Sequence, residues 1–316
     1  MNYMNEFVEK ALIFRREAIL ILKYYLRMPE RYTSPHRIIY MADDRMYSSG
    51  MFDRLKGMIS LYALSKAQGK QFNIYHVNPF LLEDYLQPNS YNWICDDIQY
   101  CFFRNRPIIN YPNDLNRLFK LRRESHVYIG HDIIDEINKH YNQNFEFGVL
   151  YRQLFKPTKH LQNKIDESIK QIGGEKFISI HIRLVNLLGD HTERLKEFSQ
   201  LETTEAECLL EDLKKVILEI VSNNSDYKIV LATDSNIFCQ YIKKEIPCIY
   251  CVPGKIKHVG NSAVVKDEEA LKMFTDYYLL SMSERVFSIV GKGLYSSQFP
   301  LYAAKIGNKP FERVKI

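Results

Sequence analysis

Two residues that could act on a phosphorylated substrate, His181 and Arg183, close a short apolar run at 176–183. The run is long enough for a buried strand and too short for a helix. Because side chains alternate along a strand, both residues are predicted on one face. An arginine there can offer a planar, permanently charged fork to a phosphate. The run alone leaves two interpretations open: a phosphate site, or a core histidine beside a surface ion pair.

Two more predicted strands end in polar loops. Residues 227–233 lead into Asp234, and residues 285–290 lead through glycines to Ser296 and Ser297, where a helix is predicted to begin. Ligands of open α/β sheets bind at the carboxyl ends of the strands, and a helix N-terminus suits a phosphate. Asp234 and Ser296 are also ordinary helix-capping residues. The convergence of three such strand ends favours a nucleotide-phosphate site.

Strands and helices alternate in both halves of the chain, which implies βαβ units and parallel sheets. The sequence therefore predicts an α/β protein of two Rossmann-like parallel-sheet domains facing a cleft, divided into 1–158 and 159–316. We expect strands at 37–42, 72–77, 126–130, 176–183, 227–233, 248–252 and 285–290, and helices at 52–68, 156–171, 203–223, 236–245, 267–283 and 297–306.

Composition excludes several classes of protein. A hydrophobic share of 46% supports a sizeable core, and 316 residues fit two domains. The net charge of +5 is too small to indicate nucleic acid, and the basic residues form no single stripe. We therefore expect no nucleic-acid partner.

The motifs of common cofactor and metal sites are missing. The sequence contains no GxxxxGK[ST], GxGxxG, HExxH or Asp-x-Asp motif, and its one CxxC, Cys248 to Cys251, has no second pair for zinc. The 6 cysteines are expected to be structural thiols in a reducing cytoplasm. We expect no cofactor and no bound metal, so positive side chains must neutralise any diphosphate.

The N-terminal region predicts a basic amphipathic helix over 6–28. Its apolar stretch is interrupted by four charged residues between 15 and 23, so it does not read as a membrane span or signal peptide. Its apolar face could pack on the protein or lie on a membrane surface. We expect a bacterial cytoplasmic protein with peripheral contact at the inner membrane face.

Several of these segments resemble the GDP-fucose-dependent fucosyltransferases of the GT-B fold, the group of α-1,6-, nodulation and protein O-fucosyltransferases. The segment 181–183 is similar to the family's HxR motif, 231–234 to its second motif, and 276–281 with 295–298 to its third. A weaker patch at 49–57 resembles the family's glycine-rich G-x-G-[ND]-[RQ] loop. The patches follow the family's order along the chain.

The resemblance implies an inverting, metal-independent transfer of fucose from GDP-fucose to a glycan hydroxyl. Arg183 would pair with the departing diphosphate, while His181 and Asp276 would hold guanine. The implied base is Asp190 or Glu193, with Asp53 as the runner-up. The other implied binding residues are Gly50, Arg54, Asp234, Tyr295, Ser296, Ser297 and Gln298.

Two departures from the family keep alternatives open. Phe52 stands where the family usually has glycine, and the apolar segment 184–188 replaces a charged continuation, which leaves the base open. One alternative is a GT-B transferase for another nucleotide sugar; another is a non-catalytic sugar-binding protein with a degenerate GT-B fold. For the transferase, a glycan or glycolipid acceptor in surface-polysaccharide biosynthesis is expected.

Overall fold

The computed structural model describes residues 14–24, 36–43, 45–46, 49–101, 105–110, 115–121, 123–174, 176–190, 198–254, 265–291 and 293–316. These residues form two compact units. One contains the described residues up to 83 and 87–156, and the other contains 84–86 and the described residues from 157 onward. Residues 84–86, which the sequence division placed in the first half, belong to the second unit. Glu193 and the ends of the predicted helix 6–28 lie outside the described residues.

The first unit is built on a four-stranded parallel sheet of order β2-β1-β5-β4. Every residue of β1 is buried, as expected for a central strand of a parallel sheet. Its strands are β1 (Arg37–Ala42), β2 (Gln71–His76), β4 (Asn105–Ile109) and β5 (Glu124–Tyr128); its helices are α1 (described at 14–24), α2 (Met51–Ala67), α3 (Asn116–Phe119), α4 (Ile134–Tyr141) and α5 (Phe147–Leu154). Two short strands, β3 (Leu86–Pro88) and β6 (Phe155–Pro157), pair with each other.

The second unit is built on a five-stranded parallel sheet of order β11-β10-β7-β8-β9. Counted from its first strand, the order is 3-2-1-4-5, the doubly wound arrangement. Its strands are β7 (Phe177–Ile182), β8 (Lys228–Thr233), β9 (Ile249–Tyr250), β10 (Val286–Val290) and β11 (Phe311–Lys315); its helices are α6 (Lys159–Ile172), α7 (Thr203–Asn223), α8 (Asn236–Glu245), α9 (Asp267–Met282) and α10 (Phe299–Gly307).

A hydrophobic core on one face of this sheet fixes the loop after β7. The buried residues of α7 recur every three or four positions, which gives an amphipathic helix one core-facing stripe. Leu184, Leu187 and Leu188 belong to the same core cluster as the α7 stripe and the strand isoleucines. The apolar segment that departs from the family pattern therefore anchors the loop that follows Arg183.

The predicted class, mixed α/β with parallel sheets, is confirmed. Among the described residues, the short strands β3 and β6 were not predicted, nor was one strand in each of the two large sheets, β4 and β11, both at a sheet edge. β4 contains Pro107, which an edge strand tolerates because one side of it makes no ladder bonds. β11 is largely exposed and charged, so it lacks a buried strand's apolar run.

Candidate functional site

The three strand ends singled out in the second half lie side by side at the carboxyl edge of the five-stranded sheet. His181 on β7 pairs with Ser288 on β10, and Ile182 pairs with Thr233 on β8. The residues that follow each strand therefore lie side by side. The strand order reverses between β7 and β10, and ligands of doubly wound sheets bind at that switch point.

Arg183 is held at the switch point from two sides. Its Nε lies 3.3 Å from Asp234 Oδ2. Its backbone oxygen accepts a hydrogen bond from the Tyr295 N–H, with an N···O distance of 3.2 Å. Its Cζ lies 5.9 Å from the centre of the Tyr295 ring, and the Arg183 side chain is 20% exposed. A permanently charged fork thus stands between the loops after β7 and β10.

Asp234 is committed to the backbone of the β7 loop. Its Oδ1 accepts from Leu184 N–H at 2.7 Å, and its Oδ2 accepts from Val185 N–H at 2.8 Å. The resemblance implied that Asp234 contacts substrate. The structure places it beneath Arg183, where it fixes the position of the loop.

Asp190 caps a helix. Its carboxylate accepts from Ser235 Oγ at 2.9 and 3.0 Å and from Ile237 N–H at 2.8 Å, at the start of α8. A carboxylate at a helix N-terminus satisfies free N–H groups and complements the helix dipole. These bonds hold Asp190 against the start of α8, where the resemblance implied a role as the base.

His181 is uncharged in the folded protein. It is buried, and its ring packs on Phe299 with centroids 5.3 Å apart. Burial, together with the nearby Arg183 charge, lowers the pKa of His181 to about 3. Its ring therefore offers a neutral hydrogen-bonding group near Arg183.

Asp276 and Lys272 form a buried ion pair on α9. Lys272 Nζ donates to Asp276 Oδ2 at 2.8 Å, while Asp276 Oδ1 has no hydrogen-bond partner among the described residues. Burial raises the pKa of Asp276, and the Lys272 charge acts against that rise. An unsatisfied buried acceptor is costly, so the arrangement suits a ligand that donates hydrogen bonds.

Sequence reasoning missed Lys272. Its spacing of four residues from Asp276 on a helix was the available signal. Lys272 lies beside Gly254, where a Cβ atom would be 3.4 Å from Lys272 Cδ. The ion pair is therefore near the loop that leaves β9.

The start of α10 offers fewer donors than the sequence predicted. Ser297 Oγ accepts from Phe299 N–H at 3.1 Å, and Pro300 has no N–H. The Ser297 hydroxyl accepts this bond and can still donate its own hydrogen to a ligand. Ser296 and Gln298 are exposed. A phosphate bound here would depend on hydroxyls and loop N–H groups more than on the helix terminus.

In the first unit, the expected binding residues begin α2. Gly50 is the N-cap of α2, and its oxygen accepts from Arg54 N–H at 3.0 Å. Arg54 is fully buried, with its Nε donating to Ser49 O at 2.7 Å and its Nη1 to Asn78 O. Asp53 pairs with Lys56 at 2.7 Å. Arg54 ties two loops together, so its position is structural where the resemblance implied substrate contact.

The first unit also contains a buried polar network that the sequence did not predict. Asp43, directly after β1, accepts from Tyr100 Oη at 2.8 Å, Tyr128 Oη at 3.2 Å and Arg45 N–H at 3.1 Å. A second chain of bonds links Arg37, Glu124, His126 and Tyr24. The signal was the polar run Glu-Ser-His inside β5.

Two further properties concern metals and membranes. Among the residues with described positions, no three His, Cys, Asp or Glu side chains are grouped to hold a metal ion. Within the same part of the chain, no helix combines the length and the apolar character needed to cross a membrane.

Comparison with solved structures identifies the fold. NodZ α-1,6-fucosyltransferase soaked with GDP-fucose shares 15% identity over 86% of this chain and 93% of its own, with a TM-score of 0.54; a NodZ structure from Bradyrhizobium scores 0.53. A mutant of Arabidopsis thaliana FUT1 in complex with GDP shares 10% identity over 94% and 74%, with a TM-score of 0.57. Apo POFUT1 shares 11% over 91% and 100%, at 0.50.

The chain therefore has the GT-B fold of these fucosyltransferase structures. No protein-family model matches the sequence, and no curated protein sequence matches it either.

Proposed function

We propose that this protein is a glycosyltransferase that moves fucose from GDP-fucose to a glycan hydroxyl, with inversion and without a bound metal ion. The observation that carries the proposal is the position of Arg183 at the switch point between β7 and β10. The fold it shares with fucosyltransferase structures that hold GDP or GDP-fucose supports the choice of donor.

The chemistry requires stabilisation of a leaving group. As the bond from fucose to the diphosphate breaks, negative charge builds on the departing GDP and positive charge on the sugar. A fixed guanidinium stabilises that charge without reorganising during the reaction. We place Arg183 in this role, with the hydroxyls of Ser296 and Ser297 as further donors.

Guanine recognition is assigned to Asp276 and His181. Guanine presents N1–H and N2–H₂ donors, which suit a carboxylate acceptor. The unsatisfied Oδ1 of Asp276 meets this requirement, and the Lys272 ammonium, 2.8 Å from Oδ2, favours the charged form of the carboxylate. The neutral ring of His181 beside Phe299 can add a hydrogen bond and a stacking surface. Tyr295 and Gln298 lie between β10 and α10, beside Ser296 and Ser297 in the sequence, and are assigned to the donor site with them.

We assign the base to Glu193, which follows Asp190 by three positions in the sequence. Asp190 is bonded at the start of α8, so Glu193 is the preferred candidate, with Asp53 in the first unit as the second. Their variants Glu193→Gln and Asp53→Asn separate the two, because only loss of the base removes transfer while leaving GDP binding intact.

The experiment follows transfer and nucleotide choice together. Purified protein with GDP-fucose and a panel of glycans is expected to release GDP and to give a product whose anomeric configuration, read by NMR, is opposite to that of the donor. EDTA should leave the rate unchanged. Loss of activity in EDTA that returns with added metal would refute the metal-free mechanism.

Thermal stabilisation tests the alternatives. A nucleotide at 100 times its Kd adds about 2.7 kcal/mol of stability. We expect this from GDP and GDP-fucose but not from UDP, CMP or their sugars. Stabilisation by UDP instead would indicate another nucleotide sugar, and stabilisation by GDP-fucose without transfer to any glycan would indicate a sugar-binding protein.

We also propose a cytoplasmic setting at a membrane that carries a glycolipid acceptor. Helix α1 buries Leu20 and Tyr24 against the first unit. Its outer face combines apolar and cationic side chains, which suit an anionic lipid surface. The exposed members are Phe14, Arg15, Arg16, Ile19 and Leu22.

Vesicle sedimentation tests this contact. Binding is expected with phosphatidylglycerol-containing vesicles, weaker binding in high salt, and little with phosphatidylcholine alone. Leu22→Glu should abolish it, whereas Val149→Glu, at an exposed apolar residue of α5, should not. Equal binding by both variants would refute the contact.

A further inference from the structure

Two carboxylates, one from each loop, join the loops after β7 and β8, and we call this pair of contacts the clamp. Asp234, after β8, accepts two backbone N–H groups of the β7 loop, and Asp190, in the β7 loop, accepts Ser235 Oγ and Ile237 N–H. Each loop therefore holds the other in place. Arg183 is the first residue of the clamped β7 loop.

The clamp holds an unfavourable backbone conformation. Val185 has a φ of 54°, in the left-handed region that a β-branched residue rarely adopts. Such a residue persists where surrounding contacts over-determine it. Here the Val185 N–H bonds to Asp234, and its side chain is only 1% exposed.

The same carboxylate reaches the Arg183 side chain. Asp234 Oδ2 accepts from Val185 and lies 3.3 Å from Arg183 Nε. With Oδ1 bonded to Leu184 N–H, both oxygens are engaged by the protein. A group with these commitments acts through Arg183 rather than by contacting the donor.

We propose that Asp234 is a positioning residue, which sets the guanidinium of Arg183 and keeps Val185 in its left-handed conformation. The inference rests on the proposed function, in which Arg183 stabilises the departing diphosphate. It replaces the substrate-binding role that the resemblance implied for Asp234.

A double-mutant cycle tests it. Asp234→Asn should lower kcat about 10- to 100-fold, because misplacing a catalytic group by about 1 Å can cost 10²-fold. The KM for GDP-fucose should change little, since the phosphate charge develops in the transition state. Combined with Arg183→Ala, it should cause no loss beyond that of Arg183→Ala alone. Losses that multiply would overturn the proposal.

Val185→Gly distinguishes the effect of the loop's backbone conformation from the effect of the contact between the Asp234 and Arg183 side chains. Glycine adopts a positive φ without strain, so it should preserve the loop in Asp234→Asn without restoring the contact with Arg183. The kcat loss should then persist; full recovery would assign the effect to the backbone alone and contradict the proposal. This background also serves if Asp234→Asn folds poorly. Asp226→Asn, exposed before the amino end of β8, should keep wild-type kcat.

The wild-type protein separates the two failures. A wild-type protein that neither binds GDP nor releases it from GDP-fucose would refute the proposed function. Wild-type turnover with independent, multiplying losses in the cycle would refute only the positioning role of Asp234.

Discussion

The two units both place charged side chains after central strands of a parallel sheet, but they satisfy them differently. In the first unit, the Asp43 side chain is 1% exposed and accepts bonds from Tyr100, Tyr128 and Arg45. In the second, the Arg183 side chain stays 20% exposed, and Asp276 Oδ1 has no partner among the described residues.

The difference separates structural charges from binding charges. A buried charge with a full set of protein partners stabilises one conformation and has no bond to offer a ligand. A charge held on one side and accessible on another can bind. The sequence assigned Arg183 a catalytic role and Arg54 a binding role in a weaker motif, and the structure buries Arg54 fully while leaving the Arg183 side chain 20% exposed.

Arg54→Ala is expected to have the largest effect on stability. It removes the donors to Ser49 O and Asn78 O and leaves a cavity, so the free energy of unfolding should fall by about 3–5 kcal/mol. Urea unfolding measures this. Arg106→Ala, exposed on β4 of the same unit, should change it by less than about 0.5 kcal/mol. Equal stability of the two variants would erase the contrast between the units.

Arg183→Ala should show the opposite pattern. GDP release from GDP-fucose should fall about 10²–10³-fold, as on loss of one transition-state donor. The free energy of unfolding should change by only about 1 kcal/mol, since Asp234 keeps its two backbone bonds. Arg285→Ala, at the opposite edge of the same sheet, should retain wild-type turnover. Wild-type turnover in folded Arg183→Ala would remove this residue from the mechanism.

Tyr100→Phe probes the first unit more gently. It removes the hydroxyl that donates to Asp43 but keeps the ring against Arg45, whose Cζ lies 3.6 Å from its centre. A hydrogen bond to a charged group contributes about 1.5–3 kcal/mol, and the free energy of unfolding should fall by that amount. Stabilisation by GDP should be unchanged; a weaker shift would connect this network to the nucleotide.

The pH dependence of stability should separate the units by their histidines. Burial is the main cause that lowers the pKa of His181 to about 3, and the same holds for His76 and His126 in the first unit. Below about pH 6.5 these histidines bind protons in the unfolded chain but stay neutral in the folded protein. The free energy of unfolding therefore decreases as the pH is lowered. Between pH 7 and 5, each such histidine costs about 2 kcal/mol.

Calorimetry of His181→Gln at both pH values measures the share of the second unit. The variant should lose about 2 kcal/mol less than the wild type between pH 7 and 5. An unchanged loss would mean that His181 is charged or exposed in the folded protein.

The sequence predicts the elements that periodicity controls. Helix α7 was predicted over 203–223 and has those bounds, because its apolar residues recur at helical spacing and face the sheet. The central strands were found from their apolar runs, with β5 two residues earlier than expected. Edge strand β4 was not predicted because Pro107 interrupts its apolar run, and edge strand β11 was not predicted because it is largely exposed and charged.

The pattern of apolar and polar residues along the sequence located the carboxyl edge of the sheet, but it did not show which contacts each residue makes there. Asp234 and Val185 are 49 positions apart, and Asp190 and Ile237 are 47 apart, so their bonds exist only once the sheet is assembled. Likewise, the burial of Arg54 depends on carbonyls of separate loops. Residue type and order therefore predicted a phosphate site at this edge, while tertiary contacts show which of its charged side chains are bonded to the protein.

A crystal structure with GDP tests the central claim most directly. We expect the diphosphate at the edge between β7 and β10, with the Arg183 guanidinium within about 3 Å of phosphate oxygens, the distance of a charge-assisted hydrogen bond. GDP bound elsewhere, or at this edge with Arg183 turned away from the phosphates, would contradict the account.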